Sequence, residues 1–289
     1  MCRIIFVNLL FLLSLAASAF AANPLTVLEA VASASQRVQP SLQNHLSTVE
    51  TSRIDTLMAK LFKSIPESVK PPAKPVVYKF WQRQGKNLFY ARNVPAWPQI
   101  ESLVNQATGP FTIEPNEMLL PAERVRQRQA LAEKAEITLS EVALADDVTI
   151  HRLEIIFPEA TDLDQAFYRN ALRLPQRQVT KLVFDIDSRQ NTVNEMAAIT
   201  ADGLQLTAEF RYRAVDTGML AERIQITSPD GRVDELYEVE FTMVEGYSLP
   251  ATMTLTIRRP EIQDQLEMHF RNYRINQPLP DEVQRRLRS

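Results

Sequence analysis

From Ile137 to Tyr273 apolar and polar residues alternate with period two, and polar turns interrupt the alternation at short intervals. The turns are Asp187 to Asn191, Ala201-Asp202-Gly203, Asp216-Thr217-Gly218, Pro229-Asp230-Gly231 and Glu245-Gly246. Connections this short join antiparallel neighbours only, so a βαβ array is excluded and a meander follows. The spacing predicts strands over 137–144, 148–157, 178–187, 192–200, 204–213, 219–227, 232–244, 251–258 and 262–273, with one helix interrupting at 162–172.

The alternation is one-sided. Leu182, Phe184 and Ile186 share one face, as do Leu204, Leu206, Phe210 and Tyr212, then Ile224 and Ile226. Tyr237, Val239, Phe241 and Met243 continue it, followed by Met253, Leu255 and Ile257, then Leu266, Met268 and Phe270. The opposite face carries Gln205, Glu209, Arg211, Glu238, Glu240, Thr254, Thr256, Glu267 and Arg271. A sheet with one apolar face must be covered, and the amphipathic segments upstream are the available cover. The expected fold is α+β: a large curved antiparallel β-sheet with helices over its concave face.

Those upstream segments have period 3.6. Leu25 to Val38 reads as a short helix ended by Pro40, and 41–53 stays open between helix and strand. Ile54, Leu57, Met58, Leu61, Phe62 and Ile65 define a second helix, and Pro66, Pro71, Pro72 and Pro75 turn it into an extended connector, a helical and proline-rich insert over 54–75. Residues 76–81 and 88–91 read as a hairpin. Trp97 to Ala107 and Glu117 to Glu136 read as helical lid segments within 96–136, the second with Glu123, Arg124, Arg126, Arg128, Glu133 and Lys134 on its outside.

Residues 1–21 read as a signal peptide. Arg3 precedes the apolar run Ile4 to Leu15, and Ala19-Phe20-Ala21 is a cleavage signal. The expectation is an exported chain comprising one domain, 22–289, with no transmembrane span after cleavage; retention of the segment as an anchor is the other outcome. The one cysteine, Cys2, lies inside this segment, so thiolate catalysis, cysteine-zinc sites and iron–sulfur clusters are excluded for the mature chain.

Other chemistry is sparse as well. His45, His151 and His269 form no i, i+4 ligand pair, and the six glycines build no phosphate-cradling loop. Asp185 and Asp187 stand at a strand end running into a polar turn, with Gln190 where a calcium loop needs glycine. A net charge of -3 with both signs interspersed gives no field for nucleic acid. No catalytic residue, metal site or cofactor is expected, and the chain is not read as an enzyme.

The residues near the end resemble a known family. Tyr247-Ser248-Leu249-Pro250 before a strand, the strand ending in 270–280, and Asp202-Gly203 between two long strands are similar to the C-terminal part of outer-membrane lipoprotein carrier (LolA-like) and lipoprotein-sorting proteins. The resemblance covers the hairpin series from Leu182 onward. It implies a half-barrel of about eleven strands with a helical lid, in the periplasm of Gram-negative bacteria. It also implies that acyl chains of a lipoprotein or lipid are bound within it, with inner- and outer-membrane proteins as partners.

Burial of acyl methylenes on the apolar face would supply the affinity. The expected lining is Phe184, Leu206, Phe210, Ile224, Tyr237, Val239, Phe241, Met253, Leu255 and Leu266, with the helices from Leu57 and Trp97 as movable cover. The competing expectation is an envelope interaction, assembly or sensor protein, its cleft filled by its own helices and its surface bound to a protein partner.

Overall fold

The computed structural model describes residues 24–63, 65–66, 76–83, 87–92, 98–109, 119–143, 149–163, 166–167 and 178–288. The signal segment, the proline-rich connector, Trp97 and Asp146-Asp147 lie outside them. Five α-helices are described: α1 (Pro24–Arg37), α2 (Ser52–Lys63), α3 (Pro98–Thr108), α4 (Val125–Ala132) and α5 (Asp281–Arg288). The strands are β1 (Asn44–Glu50), β2 (Val76–Gln82), β3 (Leu88–Arg92), β4 (Glu136–Ala143), β5 (Thr149–Asp162), β6 (Gln178–Asp187), β7 (Thr192–Thr200), β8 (Gln205–Val215), β9 (Gly218–Thr227), β10 (Asp234–Val244), β11 (Tyr247–Arg259) and β12 (Ile262–Ile275).

All twelve strands form one sheet in the order β3-β2-β1-β12-β11-β10-β9-β8-β7-β6-β5-β4. From β4 to β12 this is the expected meander. The N-terminal hairpin then extends it beyond β12, because β1 pairs with β12 antiparallel (Val49 opposite Phe270) and with β2 (Ser47 opposite Lys79). β3 and β4 remain as edges, so the sheet is open, and it has twelve strands against the eleven or so implied by the resemblance.

Inward residues meet across the ladder in register. Leu255 faces Leu266 and Met253 faces Met268, while Tyr237 faces Leu255 and Val239 faces Met253. Against this layer pack Leu28, Val31 and Ala32 of α1, Ile54 and Met58 of α2, and Ile100 and Val104 of α3, all in one continuous apolar cluster. The helices therefore cover the apolar face as expected. On the other face α5 buries Val283 against Leu46, Phe80 and Tyr90, clasping the C-terminus to the back of the N-terminal hairpin.

Several expectations change. The open segment 41–53 is β1 followed by the start of α2. The expected helix over 117–136 is only a 3₁₀ turn at Ala122–Arg124 and α4, and β4 begins at Glu136. β5 runs to Asp162, so the interrupting helix does not start there; most of 163–177 falls outside the described residues. Met243 is 63% exposed instead of lining the apolar face. A bulge between Glu240 and Phe241 shifts the β10–β11 register, and Met243 stands near the tip of that hairpin.

The turns carry local chemistry that repeats. Thr200 and Ser228 each donate a hydroxyl to the aspartate two residues on, Asp202 and Asp230, and Gly203 and Gly231 follow at positive φ. The hydrogen bond from Ser228 and those from the Arg232 backbone and side chain hold the Asp230 carboxyl down at about 2. Gly218 is more constrained still. Its φ is +148°, and a Cβ there would stand 3.0 Å from Val38 Cγ2, so the β8–β9 turn can sit against the end of α1 only without a side chain. Gly218→Ala should lower the unfolding free energy by about 1–3 kcal/mol in urea titration. Gly203→Ala, whose Cβ meets nothing within 4 Å, should cost less.

Candidate functional site

Helix α1 lies over the sheet, and polar side chains from three other segments fix it there. At its middle, the fully buried Arg128 of α4 donates from Nε to Glu29 Oε1 at 2.8 Å and from Nη2 to Glu29 Oε2 at 2.7 Å. The same guanidinium donates from Nη1 to the carbonyls of Pro121 (2.7 Å) and Ala166 (3.2 Å). One side chain thus joins α1, α4, the 119–124 stretch and the turn at 166. Sequence patterning put Arg128 on the outside of its helix; the bidentate partner in α1 is what allows its burial.

The C-terminal end of α1 is held by a second arginine. Arg83, just after β2, donates from Nη1 to Gln36 O at 2.7 Å, from Nη2 to Val38 O at 3.1 Å and from Nε to Leu42 O at 2.8 Å. A cation at a helix C-terminus satisfies carbonyls that have no intrahelical partner and complements the dipole. Gln39, in the left-handed region at φ 50°, then docks the chain onto β11: its amide donates to Ser248 O (3.1 Å) and accepts from Ser248 N–H (2.6 Å). Its backbone N–H donates to Thr217 Oγ1 at 2.7 Å.

Clefts flank this end of α1 on both sides. One, of about 100 Å³, runs between α1 and the β9–β11 rim and is lined by Ala32, Gln36, Leu120, Leu220, Phe241 and Leu249. His45 and Trp81 also line it; their rings stack at 5.3 Å with 18° between planes, and Arg83 lies 5.7 Å from the Trp81 ring centroid. The other cleft, about 260 Å³, lies between Val31 and Ala34 of α1 and the β6–β7 and β8–β9 turns. Tyr212 on its wall donates to Val193 O at 2.9 Å, and burial pushes its phenol up. Ser35 and Val38 face both clefts, so the terminal turn of α1 is the partition between them.

The ten residues expected to line a ligand site are brought together by the sheet. Phe184, Leu206, Phe210, Ile224, Tyr237, Val239, Met253, Leu255 and Leu266 are buried in the cluster shared with the helices, and Phe241 packs against it half-buried. Of the ten, Phe241 alone lines the cleft of about 100 Å³. Leu57 packs on the cluster from α2. The apolar basin is thus closed by its lid.

Reading the sequence missed Glu29, Gln39 and Arg83, and placed Arg128 on the wrong side. Their roles depend on partners far along the chain, such as Glu29 and Arg128 at a separation of 99 residues. Of the histidines, His269 lies on the polar face, 3.3 Å from Glu267. His151, 3.5 Å from Glu141, stands opposite Ile186 at one end of the apolar face, and His45 is buried in the ring stack. Asp187 accepts from the Arg189 and Gln190 N–H groups at 2.8 and 2.9 Å, the expected polar turn. Among the described residues no group of three or more His, Cys, Asp or Glu is placed to hold a metal ion, and no helix is long and apolar enough to cross a membrane.

The latch has a checkable signature. Glu29→Ala strands a buried guanidinium and should destabilise the fold by about 3–5 kcal/mol in urea titration. Adding Arg128→Met to that variant should recover about 1 kcal/mol or more, since no unpaired charge then remains inside. Simple additivity of the two changes would contradict the coupling.

No protein-family model and no curated protein matches the chain. Among solved structures it is similar to a LolA-superfamily protein from Nitrosomonas europaea, at 10% identity and a TM-score of 0.34, with 91% of this chain and 97% of that chain covered. It is also similar to an outer membrane lipoprotein-sorting protein domain from Vibrio parahaemolyticus, at 12% identity and a TM-score of 0.35, covering 92% of this chain and 100% of that one.

Proposed function

We propose that the chain is a periplasmic, non-enzymatic binding protein that shelters acyl chains of a lipoprotein or lipid between its sheet and its helices, for transport or sorting within the envelope. The observation that supports this reading is the construction of the cover. The apolar face of a twelve-stranded open sheet is closed by separate helices, and α1 is tied down by a few discrete polar links with clefts along its terminal turn.

The energetics favour sheltering a chain. A sixteen-carbon acyl chain leaving water gains roughly 12 kcal/mol at about 0.8 kcal/mol per methylene. Lifting α1 away would expose Leu28, Val31 and Ala32 and break its polar links, so the acyl chain is taken to enter beside α1, against Phe241 and Leu220, with the end of the helix held in place.

A second reading is favoured by one specific observation. The open space of about 100 Å³ beside Phe241 is smaller than the roughly 300–1,000 Å³ of ordinary ligand pockets, which suits an envelope interaction, assembly or sensor protein whose basin is filled by its own helices.

Native mass spectrometry of protein purified from periplasm without detergent separates the two. A stoichiometric acylated adduct supports the carrier reading, whereas a bare polypeptide mass that also refuses a fluorescent fatty-acyl probe supports the second. Under the first reading Phe241→Glu should abolish probe loading while far-UV circular dichroism stays that of the native sheet.

A further inference from the structure

Near the end of β2 stands a large side chain that is apolar except at one atom. Trp81 is 7% exposed and packs with Leu42, Leu249 and Ile275 in a small apolar cluster of its own. His45, its register partner on β1, stacks on the indole at 5.3 Å, and the Arg83 guanidinium lies 5.7 Å from the ring centroid. Leu42, His45, Arg83 and Leu249 all line the cleft of about 100 Å³, as Trp81 itself does, so the indole is set into the wall of that cleft.

A buried indole N–H ordinarily finds an acceptor. The Nε1 of Trp81 is buried and makes no hydrogen bond among the described residues. The stacked imidazole meets the plane of the indole and not its N–H edge. A buried donor left without a partner beside open space asks for an acceptor that comes from outside the chain.

The surroundings select that acceptor. Arg83 is committed to the carbonyls of Gln36, Val38 and Leu42, at the C-terminal end of α1 where the helix dipole is negative. Gln39 uses both ends of its amide on the Ser248 backbone, and the exposed Glu123 adds a carboxylate to the lining. A free carboxylate would enter this volume against negative charge, and an ammonium has no acceptor to give. A neutral carbonyl answers the indole without burying a charge. The cleft holds the equivalent of about three waters at roughly 30 Å³ each, room for an ester or amide group and its first methylenes, and Leu220 and Phe241 continue it as apolar wall.

We propose that Trp81 forms the acyl-carbonyl subsite of the cleft, its indole N–H donating to the ester or amide carbonyl of a ligand whose chain continues against Phe241 and Leu220. This rests on the acyl-binding reading and narrows it to esterified or amidated chains in preference to free fatty acids.

The test is competition against a fluorescent fatty-acyl probe on the full mature protein by 1-dodecanoylglycerol and 1-O-dodecylglycerol, which differ in the acyl carbonyl alone, and by dodecanoate. Wild type should bind the ester about five- to ten-fold more tightly than the ether, with the acid weaker than the ester. Trp81→Phe keeps a ring and removes the donor, so it should bring the ester-to-ether ratio to about one with ether affinity kept. The infrared carbonyl band of ¹³C-labelled ester should lie at lower frequency when bound to wild type, and lose that shift in Trp81→Phe. Should Trp81→Phe not fold, the wild-type ratio and the bound carbonyl band remain decisive. Equal ester and ether affinity in wild type, or a ratio and a band that Trp81→Phe leaves unchanged, overturns the subsite and leaves acyl binding standing. Failure of all three to compete, with no probe bound, overturns both.

Discussion

A sheet whose long face is apolar cannot stand in water on that side, and the placing of α1, α2 and α3 answers that constraint. A second sheet would have closed the face permanently. Helices close it instead, and they arrive from separate stretches of chain, so each needs its own attachment. The apolar contacts supply most of the burial but are not directional. The position of α1 is set by two arginines, one gripping a glutamate at mid-helix and the other gathering the carbonyls at its end.

Those attachments differ in kind. Arg83 binds backbone carbonyls at the end of α1 and just after it, and Gln39 in that segment binds the Ser248 backbone, tying it to β2 and β11 through bonds that any side chains on α1 would permit. Arg128 binds a side chain, Glu29, and its burial is complete. A fully buried charge is tolerated with its partner and destabilising without it, so this contact is either made or broken with little between. The C-terminal end of α1 is thus built as a fixed point and the middle as a latch.

What could be read in the sequence follows the same division. The strands from β6 to β12 were legible because one face is apolar along their middles, and a period-two pattern then repeats without exception until a bulge or a hairpin tip intervenes, as at Met243. β1 was not legible. Asn44 to Glu50 places His45 and Ser47 at inward positions, so a strand buried on that face reads as polar. Arg128 failed for the related reason that charge was taken as exposure, when the residue that neutralises it lies on another helix. Patterning reports the average chemistry of a face, and it fails where a face is given an individual partner.

The polar exceptions on the covered face fall at its margins and ends. His45, Ser47 and Lys79 belong to β1 and β2, and Glu235 stands near the start of β10 opposite Ile226 and Ile257, while the buried inward positions of β6 to β9 are apolar apart from Thr192 and Thr200 near strand ends. A hydrophobic core gains nothing from a lysine, since an apolar residue of similar volume would pack there without desolvating a charge. Buried charges are therefore kept where a partner meets them, as Arg128 meets Glu29 and Arg259 meets Glu235, and each such pair fixes one element of the cover or sheet in a position that apolar contact alone would leave free to slide.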